Sequence, residues 1–344
     1  MRVGGVVGVV ASGEPAVSTR GLRKVYRTRR GVQVAVEGLD LDVPAGGVHG
    51  FLGPNGSGKT TSIRMLLGLV RADAGSMWIF GRQVPQRLPE VIGRVGAIVE
   101  SPKFFPSFSG RRNLSLLAAA VGVPPERVSL VLDQTDLAGR AGDAFSSYSL
   151  GMKQRLAIAA TLLKLPDLLI FDEPTNGLDP GGIHDIRVTM RELASQGKTV
   201  LVSSHLLAEV QQVADTVSII ARGRLLAAGT VRDVMGAGTA VGWRVGVADP
   251  AAAARVLTGA GWAVHDEGHL LRVEGASDGA LITQRLAGAG MWVSELTPVQ
   301  ADLESVFLQL TGGAALGSTS ASGPVQTGAE AADGAAGTPR ELGR

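Results

Sequence analysis

Eight residues constrain this chain more than any others. Gly53-Pro54-Asn55-Gly56-Ser57-Gly58-Lys59-Thr60 carries the spacing G-x-x-x-x-G-K-[ST]. An apolar run, Val48 to Leu52, predicts a buried strand before it, and Thr61 to Leu69 predicts a helix after it. In that setting the glycines let successive backbone N–H groups turn inward around a phosphate, and the helix N-terminus adds partial positive charge. Lys59 supplies a point charge for β- and γ-phosphates, and the Thr60 hydroxyl suits Mg²⁺, which takes oxygen ligands.

A second acidic site lies 113 residues after Lys59, in Leu168-Leu169-Ile170-Phe171-Asp172-Glu173. Four apolar residues ending in two carboxylates read as a buried strand delivering acids at its C-terminal end, where open α/β sheets place ligands. Asp172 would hold Mg²⁺ through water, and Glu173 would orient or polarise an attacking water. Taken alone, the pair reads equally well as the start of a loop. Further apolar runs at Thr199 to Val202 and Thr216 to Ile220 complete the pattern of a parallel, doubly covered α/β sheet. Ahead of it, Val32 to Val36 and Leu39 to Val43 alternate as half-buried strands of an antiparallel region, with Gly38 between them. Helical spacing dominates Arg111 to Leu165, a helical insertion at about residues 105–165. A smaller α+β unit over residues 238–312 reads strand, helix, strand, strand, helix, strand and a last helix, a split βαβ order.

Composition narrows the function. With no cysteine there is no disulfide framework, thiolate metal site or thiol nucleophile. The longest apolar stretch, Val3 to Ala11, is far shorter than the roughly 20 residues of a spanning helix. With Arg2 before it, that stretch faintly resembles a signal peptide, and a wrongly assigned translation start explains it better. Residues 1–30 hold seven Lys/Arg against one Glu, whereas the whole chain has net charge +2. Basicity is therefore one cluster (Arg20, Arg23, Lys24, Arg27, Arg29, Arg30), and no nucleic-acid partner is expected. A solvated hairpin, a contact to nucleotide phosphates and attraction to an anionic membrane all fit the cluster. Residues 1–17 and 313–344, rich in Gly, Ala, Ser and Thr, are expected to be disordered.

Taken together, the phosphate loop and acidic strand resemble those of the ATP-binding subunits of ABC transporters, over about Val17 to Asp233 and more weakly to Gly312. Tyr148-Ser149-Leu150-Gly151-Met152-Lys153-Gln154-Arg155 is similar to the family's L-S-G-G-Q-x-Q-R signature, with Tyr148, Leu150 and Met152 departing from it. Asn176-Gly177-Leu178-Asp179-Pro180 resembles the D-loop, and Ser203-Ser204-His205 the switch histidine. The resemblance implies a P-loop ATPase with antiparallel and helical subdomains over residues 18–235. It also implies a homodimer that sandwiches two ATP molecules, and export through a separately encoded membrane permease. Ser149 and Gly151 would reach the γ-phosphate held by the opposite subunit, and Tyr26 would stack on adenine. The ATP site would then comprise Tyr26, Gly53 through Thr61, Ser149, Gly151 and Asp179, with Glu173, His205 and Lys59 as the catalytic group. Thr60, Asp172 and Glu100 would face the metal; Glu100 stands where most of the family has Gln. Glu100 and the variant signature are similar to exporters of bacitracin-like and lantibiotic peptides. Leu303-Glu304-Ser305-Val306-Phe307 resembles the C-terminal extension of drug exporters. Such a subunit would lie in the cytoplasm on the inner face of the membrane. A soluble relative acting on DNA or ribosomes fits less well: only 90 residues separate Lys59 from Ser149, with no heptad arm between them, and there is one nucleotide site.

Overall fold

The computed structural model describes residues 13–28, 31–100, 103–236, 240–300 and 303–311. The apolar stretch Val3 to Ala11, Arg29, Arg30 and the tail 313–344 lie outside them. The first strands are β1 (Val17–Thr28) and β2 (Gly31–Val43), then β3 (Gly47–Leu52) and helix α1 (Lys59–Leu66). Strands β4 (Ala74–Ile79) and β5 (Arg82–Val84), helix α2 (Leu88–Val91) and strand β6 (Val95–Ile98) come next. Then come α3 (Gly110–Ala120), α4 (Glu126–Gln134) and α5 (Leu150–Leu162), β7 (Leu168–Asp172), α6 (Pro180–Ser195), β8 (Thr199–Ser204) and α7 (Leu207–Gln211). The chain continues through β9 (Thr216–Ala221), β10 (Arg224–Thr230) and α8 (Val231–Val234). Beyond these lie β11 (Ala240–Val247), α9 (Pro250–Gly259), β12 (Ala263–Asp266), β13 (Leu271–Glu274), α10 (Gly279–Gly288), β14 (Val293–Gln300) and α11 (Leu303–Leu310).

Three sheets result. Strands β2-β1-β4-β5 form an antiparallel sheet. The second has order β10-β9-β3-β8-β7-β6 and is parallel except for the β9–β10 hairpin. Its β3, β7, β8 and β9 carry the four largely apolar runs, buried on both faces because helices cover them. Helix α1 lies between the two sheets. Its Ile63, Met65 and Leu66 are fully buried in one core with Leu22, Val36 and Leu39 of the antiparallel sheet and Leu168, Ile170 and Leu201 of the parallel one. Each such side chain contributes roughly 1.5–3 kcal/mol by leaving water, so the phosphate-binding helix is held from both sides.

The third sheet, β12-β13-β11-β14, is antiparallel, and α9 and α10 pack against it around Val245, Leu257, Leu271, Val273, Ile282 and Leu286. Along the chain the order β11-α9-β12-β13-α10-β14 is that of a split βαβ unit.

Three expectations need correction. The unstructured stretch expected through residue 17 ends earlier, because Val17 opens β1 and both Ala16 and Val17 are fully buried. The break expected at Gly38 is a bulge within a single strand: Gly38 has φ +69°, and the register with β1 shifts between Leu22↔Leu39 and Arg23↔Glu37. The helix expected through Leu69 stops at Leu66, where Gly68 takes φ +71° and its N–H caps the Met65 carbonyl at 3.0 Å. Strand β1 was hidden by its charges. Arg20 pairs with Asp42 through two 2.9 Å bonds, Lys24 reaches Asp73 at 3.0 Å, and buried Thr19 bonds Leu39 and Leu41 of β2. Two members of the basic cluster are thereby committed to the sheet, while Arg23 and Arg27 are exposed.

Candidate functional site

Neighbouring parallel strands all run the same way, so the segments leaving their C-terminal ends meet along one edge of the sheet. Spatial order β3-β8-β7-β6 lines up the loop Gly53–Lys59, His205, Asp172 with Glu173, and Glu100. The loop is crowded and internally bonded. Gly58 has φ +108°, and a Cβ there would sit 2.5 Å from the Ala35 carbonyl oxygen, so no other residue fits without displacing β2. A Cβ on Gly53 would sit 2.3 Å from the Ile220 carbonyl oxygen. Gly53 N–H donates to Ser204 O, Ser57 N–H to Pro54 O and Gly223 N–H to Ser57 O. Pro54 is half-buried, Asn55 and Gly56 are exposed, and Thr60 and Thr61 are half-buried on the first turn of α1. The Ser57 hydroxyl is buried without a hydrogen-bond partner, a polar atom in a loop whose curvature suits an anion.

Lys59 is only 5 % exposed. Its ammonium donates to Gly53 O at 2.6 Å and Pro54 O at 3.3 Å, and lies 3.2 Å from Glu173 Oε1. Glu173 is the corner of the site. It adopts φ +51°, a left-handed conformation costing on the order of 1–3 kcal/mol for a side-chain-bearing residue. Its N–H is held by Ser203 O at 3.2 Å and Ser203 Oγ at 3.0 Å. The turn swings its carboxylate between two partners, Lys59 on Oε1 and His205 Nδ1 on Oε2 at 2.8 Å. An ionised carboxylate only accepts, so His205 Nδ1 carries the proton and Nε2 faces away from Glu173. Asp172 Oδ1 accepts from Ser203 Oγ. Ser203, fully buried at the end of β8, thus fixes Asp172 and the Glu173 backbone at once. No motif assigns Ser203 this role; a pair of hydroxyls, Ser203 and Ser204, closing the apolar run of residues 200–202 is the available signal, since buried polar groups need partners.

Other expected residues lie apart from this knot. Ser149 caps α5, accepting from Met152 N at 3.2 Å, and Asp179 caps α6, accepting from Gly182 N at 3.3 Å. Ser149 is exposed and Gly151 half-buried on the same helix start. Leu150 lies close to Gly177, so the signature segment abuts the D-loop segment. Tyr148 is buried, its hydroxyl donating to Arg140 O at 2.8 Å and crowding Gly110 of α3. Its place at the head of the signature is structural. Burial pushes its phenol up in pKa. Tyr26 is half-buried, paired with Gln33, with Lys24 Nζ 5.5 Å from its ring centre. Glu100, 62 % exposed, receives Arg64 of α1 at 2.9 Å, a partner the sequence did not suggest.

One histidine outside every motif sits inside the sheet. His49 of β3 bonds Thr216 Oγ1 at 2.8 Å and Ser218 Oγ at 3.0 Å, and burial lowers its pKa to about 3. It is a neutral structural group.

Residues 36–176 match the family model described as ABC transporter. The bacitracin transport ATP-binding protein BcrA of Bacillus licheniformis is 43 % identical over 212 residues, spanning 61 % of this chain and 68 % of that protein. This chain belongs to the ABC transporter ATP-binding proteins. The daunorubicin/doxorubicin resistance ATP-binding protein DrrA of Streptomyces peucetius is 35 % identical over 309 residues, 86 % of this chain and 92 % of DrrA. Among solved structures, cbiO1 from Clostridium perfringens, part of the ABC transporter complex cbiONQ, has TM-score 0.58 and 25 % identity. It covers 64 % of this chain and 91 % of that one. The fold is the ATP-binding cassette, its substrate is ATP, and it is an ATPase of the ABC type. Among the described residues, no helix is long and apolar enough to cross a membrane.

Proposed function

We propose that this ABC ATPase hydrolyses ATP between two copies of itself and thereby powers export through a separate membrane subunit. The observation that carries the catalytic half is the Lys59–Glu173–His205 chain, with Glu173 bonded on both carboxylate oxygens. Lys59 and the backbone N–H groups of Gly58, Lys59 and Thr60, at the start of α1, would bind the β- and γ-phosphates. Glu173 would orient the attacking water, and His205 would hold Glu173 in that direction through Nδ1. Fixed charges placed where charge develops need no reorganisation during reaction, which is how such sites lower a barrier.

The donors present fit Mg²⁺. Among the described residues no group of three or more His, Cys, Asp or Glu converges as a metal cage. A hydroxyl at Thr60 and a carboxylate at Asp172 suit an ion that completes its shell with water and phosphate oxygens. Glu100 would add an oxygen from the end of β6, with Arg64 offsetting its charge. When bound, Mg²⁺ supplies charge neutralisation on the phosphates.

Ser149 and Gly151 would complete the site of a second copy, with Asp179 and Tyr26 as further ATP contacts. What supports the dimer is the exposure of Ser149 and its neighbour Leu150 beside the D-loop segment. A structure with the same fold, 22 % identical and with TM-score 0.57, is a dimer bound to ADP and Pi. The names of BcrA and DrrA support a peptide-antibiotic or drug cargo. Beside Glu100 a groove of about 410 Å³ opens between edge strand β6 and α5, lined by Gly96, Lys103, Phe104, Thr161 and Lys164. The chain would then work in the cytoplasm, peripheral to the inner membrane face, with residues 18–235 as the ATPase domain and 238–312 as an accessory domain.

The test is Glu173→Gln. It is expected to abolish turnover while ATP is retained and the dimer accumulates. Hydrolysis at the wild-type rate would remove Glu173 from its role.

A further inference from the structure

Two bonds, rather than one, join the segment after β7 to the segment after β8. The first is Glu173 Oε2 with His205 Nδ1. The second lies two residues further along one segment and four along the other: Thr175 Oγ1 donates to Glu209 Oε2 at 2.9 Å. Thr175 is buried, and Glu209 is half-buried on α7, the short helix that begins two residues beyond His205. A single contact between two loops is a pivot about which a ring can rock. A second contact at a distance removes that rotation. This matters here because Glu173 sits in a strained left-handed conformation, and its contact to His205 is a single bond to one ring nitrogen.

The far end of α7 is braced as well. Gln211 accepts from the Leu303 N–H at 3.2 Å, and Leu303 and Phe307 of α11 are 0 % and 2 % exposed. Helix α7 is therefore clamped between the loop beyond Glu173 and a helix from the far C-terminal part of the fold. Its Leu207 and Val210 are buried.

We propose that Glu209 is a positioning residue for hydrolysis: through Thr175 it fixes the angle at which His205 meets Glu173. Glu209 touches neither. This rests on the reading of Glu173 and His205 as the hydrolytic pair. Because the phosphate loop is bonded separately, losing the latch slows the chemical step and leaves nucleotide binding intact.

The test uses the full chain with steady-state ATPase kinetics and thermal melting on Thr175→Val, Glu209→Ala, Glu209→Gln and the Thr175→Val/Glu209→Ala pair. Expected are a kcat about tenfold lower for Glu209→Ala with KM for ATP within about twofold, a misplacement effect. Glu209→Gln keeps an acceptor oxygen and should recover to within about threefold of wild type. The double variant should be no worse than either single, because both remove one bond. An unchanged kcat in Glu209→Ala, no rescue by Gln, or additive losses in the pair would overturn the proposal. If Glu209→Ala melts before it can be assayed, Thr175→Val decides, since it trades a hydroxyl for a methyl of the same shape. Should Glu173→Gln itself hydrolyse ATP normally, the underlying reading of the site fails; should only the latch variants be silent, the latch alone fails.

Discussion

The six-stranded sheet and the four-stranded sheet of residues 240–300 both pack against helices, yet they treat polar groups in opposite ways. In the first, His49, Thr199, Ser203, Ser204 and Ser218 lie inside the strands, with Lys59 and Ser57 at their edge. In the second, no polar or charged residue is buried among the described residues. Its charges sit on the open face or on the loops beside it, as in Arg244 with Glu267 and Arg272 with Glu274. A buried polar group costs free energy unless bonded, so their concentration in one sheet marks where chemistry is organised. The other sheet is built as an ordinary hydrophobic layer.

Breaking the loop of the first sheet should have the largest effect. Lys59→Ala removes the cation that touches two loop carbonyls and Glu173, and nucleotide affinity is expected to fall by more than about a hundredfold in a fluorescent-nucleotide titration. Retained affinity would mean that the loop binds through its backbone alone. Gly58→Ala must strain a left-handed backbone and strike the Ala35 carbonyl. It should cost about 1–3 kcal/mol of stability by denaturant titration together with most of the binding, whereas Gly259→Ala in the second sheet's helix α9, with open space around it, should do neither.

Next comes a cavity in the second sheet. Leu257→Ala, at a fully buried position, is expected to lower stability by about 2–5 kcal/mol while kcat per folded molecule stays unchanged. A fall in kcat equal to that of Glu209→Ala would show that the two sheets are coupled in catalysis.

The smallest effect is a pH slope. His49 stays neutral when folded down to about pH 3, whereas an unfolded histidine takes a proton near pH 6.5. Between those values the unfolded chain binds more protons, so stability falls as pH falls, by up to about 1.4 kcal/mol per unit from this group. Denaturant midpoints from pH 7 to 4 should show a shallower slope in His49→Gln than in wild type; equal slopes would place the acid sensitivity elsewhere.

Which elements were legible in the sequence depends on the physics of each. Strands β3, β7, β8 and β9 could be read because strands buried on both faces are mostly apolar, with few polar interruptions. Strand β1 could not, because its charges find partners on β2 and on the turn before β4, far away in sequence. Lys59, Asp172, Glu173 and His205 could be named from motif and spacing. Ser203, Thr175 and Glu209 could not, because nothing in a run of Ser, Thr or Glu says which distant group it will meet.

The family, the phosphate loop and the two carboxylates are written in the order of residues alone, because they depend on residue types at short, regular spacing. Folding in three dimensions is what holds Glu173 between Lys59 on one oxygen and His205 on the other, pairs Glu100 with Arg64, and latches α7 through Glu209 while α11 braces it. Those contacts bridge residues tens of positions apart, and their geometry is set by strand order, which no local pattern encodes.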